Sequence, residues 1–196
     1  MLDVPALSRR AAREQSAFRA VLDAMARPGT VGQVEPHDQG EHFAAALTVL
    51  EALLDHEVTF AVLPEAPIAS DPLLRYTGSR VAAPEQADFL LCHGTGIAEG
   101  LRTAKAGDLE YPDRSGTIVA LVDTIGEVTH QSERLRLSGP GIRDFQNIDV
   151  AGFTSTHQTL FARRNVGAPI GIDAILVAPN GRFICLPRYT RIEGTR

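Results

Sequence analysis

The chain has 196 residues, 44% of them hydrophobic and 22% charged, with a formal net charge of −5. That balance fits a single soluble globular domain over residues 1–196, long enough to bury a substantial core. The acidic balance argues against nucleic acid as a partner, which usually calls for a basic face. No apolar run approaches the ~18 residues of a spanning helix, which argues against a membrane.

Residues 5–27 read as a helix. Phe18, Val21, Leu22 and Met25 stand at i, i+3, i+4 and i+7 and predict one apolar face. Arg27-Pro28-Gly29 stops it. The start carries charges and no apolar signal-peptide core. Cys92 and Cys185 are the only cysteines and suggest no disulfide framework, so a reducing, cytoplasmic setting is expected.

A second helix is expected over 41–55, with Phe43, Leu47, Leu50 and Leu54 at helical spacing. A short buried strand follows over 58–63, and a short helix over 71–76 inside a proline-rich stretch. Residues 87–92 form the next strand, running through His93-Gly94-Thr95-Gly96 into a helix over 97–105. A cysteine at a strand end beside a helix N-terminus can have a lowered pKa and act as a nucleophile. Neighbours on a strand face opposite sides, however, so His93 is badly placed to activate Cys92. A buried structural cysteine is the reading preferred.

Residues 117–122 are a further buried strand, and Glu133-Arg134-Leu135-Arg136-Leu137 alternates as a half-buried one. It feeds Ser138-Gly139-Pro140-Gly141-Ile142, whose two glycines around a proline force a sharp turn. Consecutive N–H groups in such a turn can hold an anion; a purely structural turn is the alternative. A polar stretch to residue 150, a helix over 153–164 and a break over 165–169 come next. A strand over 170–178 then turns through Pro179-Asn180-Gly181 into an antiparallel partner over 182–187. Strands alternating with helices predict a layered α/β/α domain with a mixed sheet.

Chemistry motifs are sparse. The chain has no P-loop, dinucleotide fingerprint, H-E-x-x-H or nucleophile elbow, and its six histidines lack metal-ligand spacing. The candidate residues are Ser138, Gly139, Gly141 and Ile142 of the turn, with Asp173 and Arg188 at strand ends. Arg188 offers a planar donor fork suited to phosphate or phosphonate oxygens. Asp173 could equally ligate or bond the loop, and Arg188 could equally make an internal salt bridge.

Five blocks spanning nearly the whole chain then matter together. They are FRAVLDAMARPGTV at residues 18–31, Leu53-Leu54-Asp55, Ser138-Gly139-Pro140-Gly141-Ile142, Pro169-Ile170-Gly171-Ile172-Asp173 and Leu186-Pro187-Arg188-Tyr189-Thr190. As a set they resemble the PhnH family, subunits of the carbon–phosphorus lyase core complex of phosphonate breakdown. Tyr189 stands where the family more often shows threonine, and Pro112-Asp113 where it tends to show Pro-Glu. The resemblance implies a fold like the large domain of pyridoxal-phosphate-dependent transferases, without that cofactor. It implies a homodimer that joins three other subunit types. The assigned reaction couples a phosphonate to the ribose of a nucleoside triphosphate and releases the base. The resemblance supplies no catalytic residue and no cofactor. A pyridoxal enzyme needs a Schiff-base lysine, and the only lysine, Lys105, sits at an expected helix end.

Two functional classes remain from the sequence. One is a subunit, inactive alone, whose turn and Arg188 region bind an anionic small molecule, a phosphonate or nucleotide, or fix a subunit contact. The other is a stand-alone enzyme using Cys92 or the Gly-Pro-Gly loop.

Overall fold

A computed structural model gives the fold, and it describes residues 4–36, 43–66 and 70–194. The first two residues of the helix expected over 41–55, and part of the proline-rich stretch, lie outside the described residues.

A seven-stranded mixed sheet forms the centre, in the order β1-β10-β9-β5-β4-β2-β3. Its parallel part comprises β2 (Thr59–Val62), β3 (Arg80–Val81), β4 (Phe89–His93), β5 (Thr117–Leu121) and β9 (Asp173–Val177). β10 (Arg182–Leu186) pairs antiparallel with β9, and β1 (Gly32–Gln33) antiparallel with β10. The central strands are short apolar runs because both their faces are covered. Along β9, Ile175 and Val177 meet one core cluster, Ala174 and Leu176 the other.

On one face lie α1 (Val4–Ala26), α2 (Ala44–Leu53) and α3 (Ser70–Thr77), which contribute Val21, Leu50 and Leu73 to that core. The opposite face carries α4 (Gly96–Thr103), α5 (Ser155–Arg164) and a second, antiparallel sheet. This small sheet runs β11 (Arg191–Gly194), β7 (Ser132–Ser138), β8 (Gln146–Ala151), β6 (Thr124–Ile125). The α/β/α layering expected from the sequence therefore holds on one face; on the other, a sheet shares the layer with helices.

Three expectations change. The buried stripe of α1 is Ala17, Val21 and Ala24, while Phe18 and Leu22 are 43% and 53% exposed. Small alanines let α1 approach Ala45 and Ala46 of α2 closely, so the larger side chains fall on its flank. The polar stretch after residue 142 contains β8, whose Ile148 and Val150 point into the core. Its strand character comes from its neighbour: Arg134 of β7 forks onto Asp149 at 3.0 and 3.2 Å. The strand expected from residue 170 begins at Asp173, because the Gly171 N–H is held by the Ala106 carbonyl and the Ile170 N–H by Gly167.

Candidate functional site

The Ser138–Ile142 segment is a turn in which the Ile142 N–H donates to the Gly139 carbonyl at 3.1 Å. Pro140 at its second position and Gly141 at φ +83° at its third match a type II turn, which needs positive φ there. Glycine is also required by space, since a Cβ on Gly141 would collide with the Ala26 carbonyl and lie 2.8 Å from Cδ of Pro28. The turn thus docks the end of β7 on the end of α1, and two of the sequence blocks touch. The Ser138 hydroxyl donates to Glu193 of β11 at 3.3 Å, and Ile142 packs against the core.

Asp173 and Arg188 meet because β9 and β10 form a hairpin with Ala174 opposite Leu186. The Arg188 backbone N–H donates to Asp173 Oδ1 at 2.7 Å, and its Nη2 to Oδ2 at 2.6 Å, with Nε 3.3 Å from Oδ1. Nη1 donates to the Pro112 carbonyl at 2.5 Å, and Nη2 also reaches the Ser115 hydroxyl. The two side chains are 14% and 19% exposed. The donor fork that suits an external anion is engaged by an internal carboxylate, and the whole clamp pins the loop before β5 to the β9–β10 end. Asn165 completes it: its side chain accepts from the Ile172 N–H at 2.8 Å and donates to the Ile172 carbonyl at 3.1 Å. Gly171 lies between, where a Cβ would come 3.1 Å from Cβ of Arg188 and collide with the Asn165 side chain.

These pieces frame a cleft of about 520 Å³. Gly139, Pro140, Arg188 and Tyr189 form one side, and Ala162 with Val166 at the end of α5 the other. Of the residues singled out in the sequence, Gly139 and Arg188 line the cleft and Asp173 holds Arg188 in place. Ser138, Gly141 and Ile142 do not line it; they fix the turn. Sequence reasoning missed Asn165, Ser115 and the Arg191–Ile192 pair. The only signal was the short alternation Thr190-Arg191-Ile192-Glu193, too brief to distinguish from a tail.

Cys92, Lys105 and His157 are each buried or held by internal partners. Cys92 is fully buried, and burial, with the Glu99 charge adding to it, pushes its thiol pKa up, away from thiolate chemistry. Lys105 pairs with Asp88 at 2.5 Å. His157 accepts the Thr154 N–H on Nδ1 at 3.1 Å within the capping box of α5, and burial first of all lowers its pKa. Among the described residues no group of three or more His, Cys, Asp or Glu could hold a metal ion.

Comparison with known proteins adds what geometry does not. The profile of the family described as "Bacterial phosphonate metabolism protein (PhnH)" matches residues 5–193. The chain is 36% identical over 183 residues to HtxG of Stutzerimonas stutzeri, which carries the name of a C-P lyase subunit protein; the match covers 93% of this chain and 87% of HtxG. It is 30% identical over 187 residues to the alpha-D-ribose 1-methylphosphonate 5-triphosphate synthase subunit PhnH of Rhizobium meliloti (strain 1021), covering 91% of this chain and 90% of that protein.

Proposed function

The chain belongs to the PhnH family of bacterial phosphonate metabolism proteins, and we propose that it is a subunit of a carbon–phosphorus lyase core complex. Its step is the coupling of a phosphonate to the ribose of a nucleoside triphosphate, with release of the base. The observation that carries this is the family match over residues 5–193, together with one relative named as a C-P lyase subunit protein and one named as a subunit of alpha-D-ribose 1-methylphosphonate 5-triphosphate synthase.

The geometry favours a positioning role within that complex. Arg188 spends its donors on Asp173, Pro112 and Ser115, so it shapes the cleft instead of gripping a free anion. The Gly139–Ile142 turn holds β7 against α1 in the same way. Of the two roles considered for this region, fixing a subunit contact is the one these bonds support over binding a small phosphonate or nucleotide. We read the chain as one cytoplasmic domain that forms a homodimer before joining the other subunits. No helix among the described residues is long and apolar enough to cross a membrane. We also read the large sheet as related to the large domain of pyridoxal-phosphate-dependent transferases, with Lys105 given over to Asp88 instead of a Schiff base.

The test is to offer a nucleoside triphosphate and methylphosphonate to the purified chain and to the reconstituted complex. Base release by the complex that requires this chain, with none from the chain alone, is expected. Turnover by the chain alone that vanishes with Cys92→Ala would establish the stand-alone enzyme instead.

A further inference from the structure

The cleft beside the Gly-Pro-Gly turn is walled by five consecutive residues, Arg188, Tyr189, Thr190, Arg191 and Ile192. The first three form the turn after β10, where the Thr190 N–H donates to the Pro187 carbonyl at 2.8 Å, and Arg191 and Ile192 open β11. β11 is an outer strand of the small sheet, paired on one side with β7. Its other edge presents N–H and C=O groups with no strand partner among the described residues. Across from it stand Ala162 and Val166, the latter 84% exposed. A second cleft of about 330 Å³ shares Ala162, Val166 and Ile192 and continues along α5 to Ser155. The two make one elongated groove. Its rim carries exposed Arg163 and Arg191 in a chain whose net charge is −5. The acidic group at its far end, Glu133, accepts a hydrogen bond from Gln158 at 2.8 Å.

We propose that this groove receives an extended segment of another subunit of the complex, added as a fifth strand along the open edge of β11. The reading rests on the subunit role above. An open backbone edge is satisfied by an extended backbone, not by a compact anion, and Arg188 is already engaged by Asp173. Alternate side chains of the incoming segment are apolar against Val166 and Ile192, and acidic against Arg163 and Arg191.

The experiment co-expresses the tagged full chain with the other subunits of its complex and compares wild type with Val166→Glu, Arg163→Glu and the double variant. Both positions are exposed and lie outside the clamp; Arg163 stands in the last turn of α5, so Arg163→Glu lowers the thermal midpoint by a few degrees at most and the variants stay folded. Captured subunits fall about tenfold in the double variant, the effect of placing repelling charge in an interface. Amide exchange at residues 191–194 slows in the wild-type complex relative to the free chain. Equal capture by wild type and double variant, or unchanged exchange at β11, overturns the groove while leaving the subunit reading intact. Slowing of the same amides by methylphosphonate alone overturns it in favour of a small-anion site. Loss of self-association without loss of capture overturns it in favour of a second copy of this chain. If wild type captures no subunit at all, the subunit reading falls and the groove with it.

Discussion

The two edges of the parallel sheet are finished in opposite ways. At the amino edge, where the strands begin, charges are paired and half-buried. Arg188 forks onto Asp173, and Lys105 meets Asp88, which also accepts from the Thr59 N–H and hydroxyl at 2.7 Å each. At the carboxyl edge, Glu65 turns out at φ +72° and lays an exposed carboxylate on the start of α4, accepting from the Thr95 N–H at 3.0 Å and its hydroxyl at 2.7 Å. Open α/β sheets ordinarily place ligands outside the carboxyl ends of their strands. Here the chain's own carboxylate occupies that end of β2 and β4, and the large cleft lies at the amino side, beside the end of the antiparallel β10. The amino side is thus fixed by paired charges and carries the cleft, and the carboxyl side is closed off locally at β2 and β4.

That contrast predicts a ranking of mutational effects, greatest on the amino side. Gly141→Val has the largest effect. It forces a branched side chain into positive φ and into the Ala26 carbonyl, and strain and overpacking together cost about 3–4 kcal/mol. Urea unfolding reads it as a lowered midpoint; a value within 1 kcal/mol of wild type would mean the turn is loosely docked. Arg188→Ala comes next. It leaves the Asp173 carboxylate mostly buried with one backbone donor and frees the Pro112 carbonyl. Losing one partner of a buried pair costs several kcal/mol, and partial solvent access reduces that to about 2–3 kcal/mol here. A loss below 0.5 kcal/mol would class the pair with ordinary surface bridges.

The sequence makes the fixed scaffold visible and leaves the cleft hidden, for a physical reason. Residues 118–122 and 174–177 are apolar runs buried on both faces, so their strands are legible without partners. The turn at residues 138–142 is legible because only glycine chemistry makes it. β8 and β11 carry too few apolar residues to declare themselves, and they exist because β7 pairs with them on both sides. The cleft wall is therefore long-range information. Arg188 shows the same limit from the other side: its residue type suggests an anion ligand, and only the fold reveals Asp173 already in its fork.

Lys105→Met is the intermediate case. The pair is 26% and 32% exposed and Asp88 keeps both Thr59 donors, so the expected loss is about 1 kcal/mol. Burial pulls the Asp88 carboxyl up, but the bonds from Lys105 and Thr59 outweigh it and hold the pKa below its ordinary value. A carboxyl lowered in this way stabilises the fold above its unfolded pKa, and the contribution is lost as pH falls through the folded one. Removing Lys105 raises that folded value, so acid unfolding of the variant should begin at higher pH. Coincident acid transitions would show that Thr59 alone sets the Asp88 carboxyl.

Glu65→Gln should have the smallest effect and the most diagnostic pH dependence. The carboxylate is exposed, so its interaction with Thr95 is solvent-screened, and its value is electrostatic support of a helix start. The Thr95 hydroxyl first, then the Thr95 N–H, hold the Glu65 pKa below its usual value, with the neighbouring His93 adding to them. The sign follows directly: the stabilisation is present above the unfolded carboxylate pKa and disappears as pH falls through the folded one. Wild type should therefore melt slightly above the variant at neutral pH, and the two curves should converge below about pH 4, where glutamate is protonated in the unfolded chain. Added salt should narrow the neutral gap as well. A gap that persists undiminished at pH 3 would mean that Glu65 acts by shape at its left-handed position and not by charge. Glu65→Gly then decides the matter: it abolishes the cap and relieves the positive φ, so it should raise stability if backbone strain dominates and lower it if the cap does.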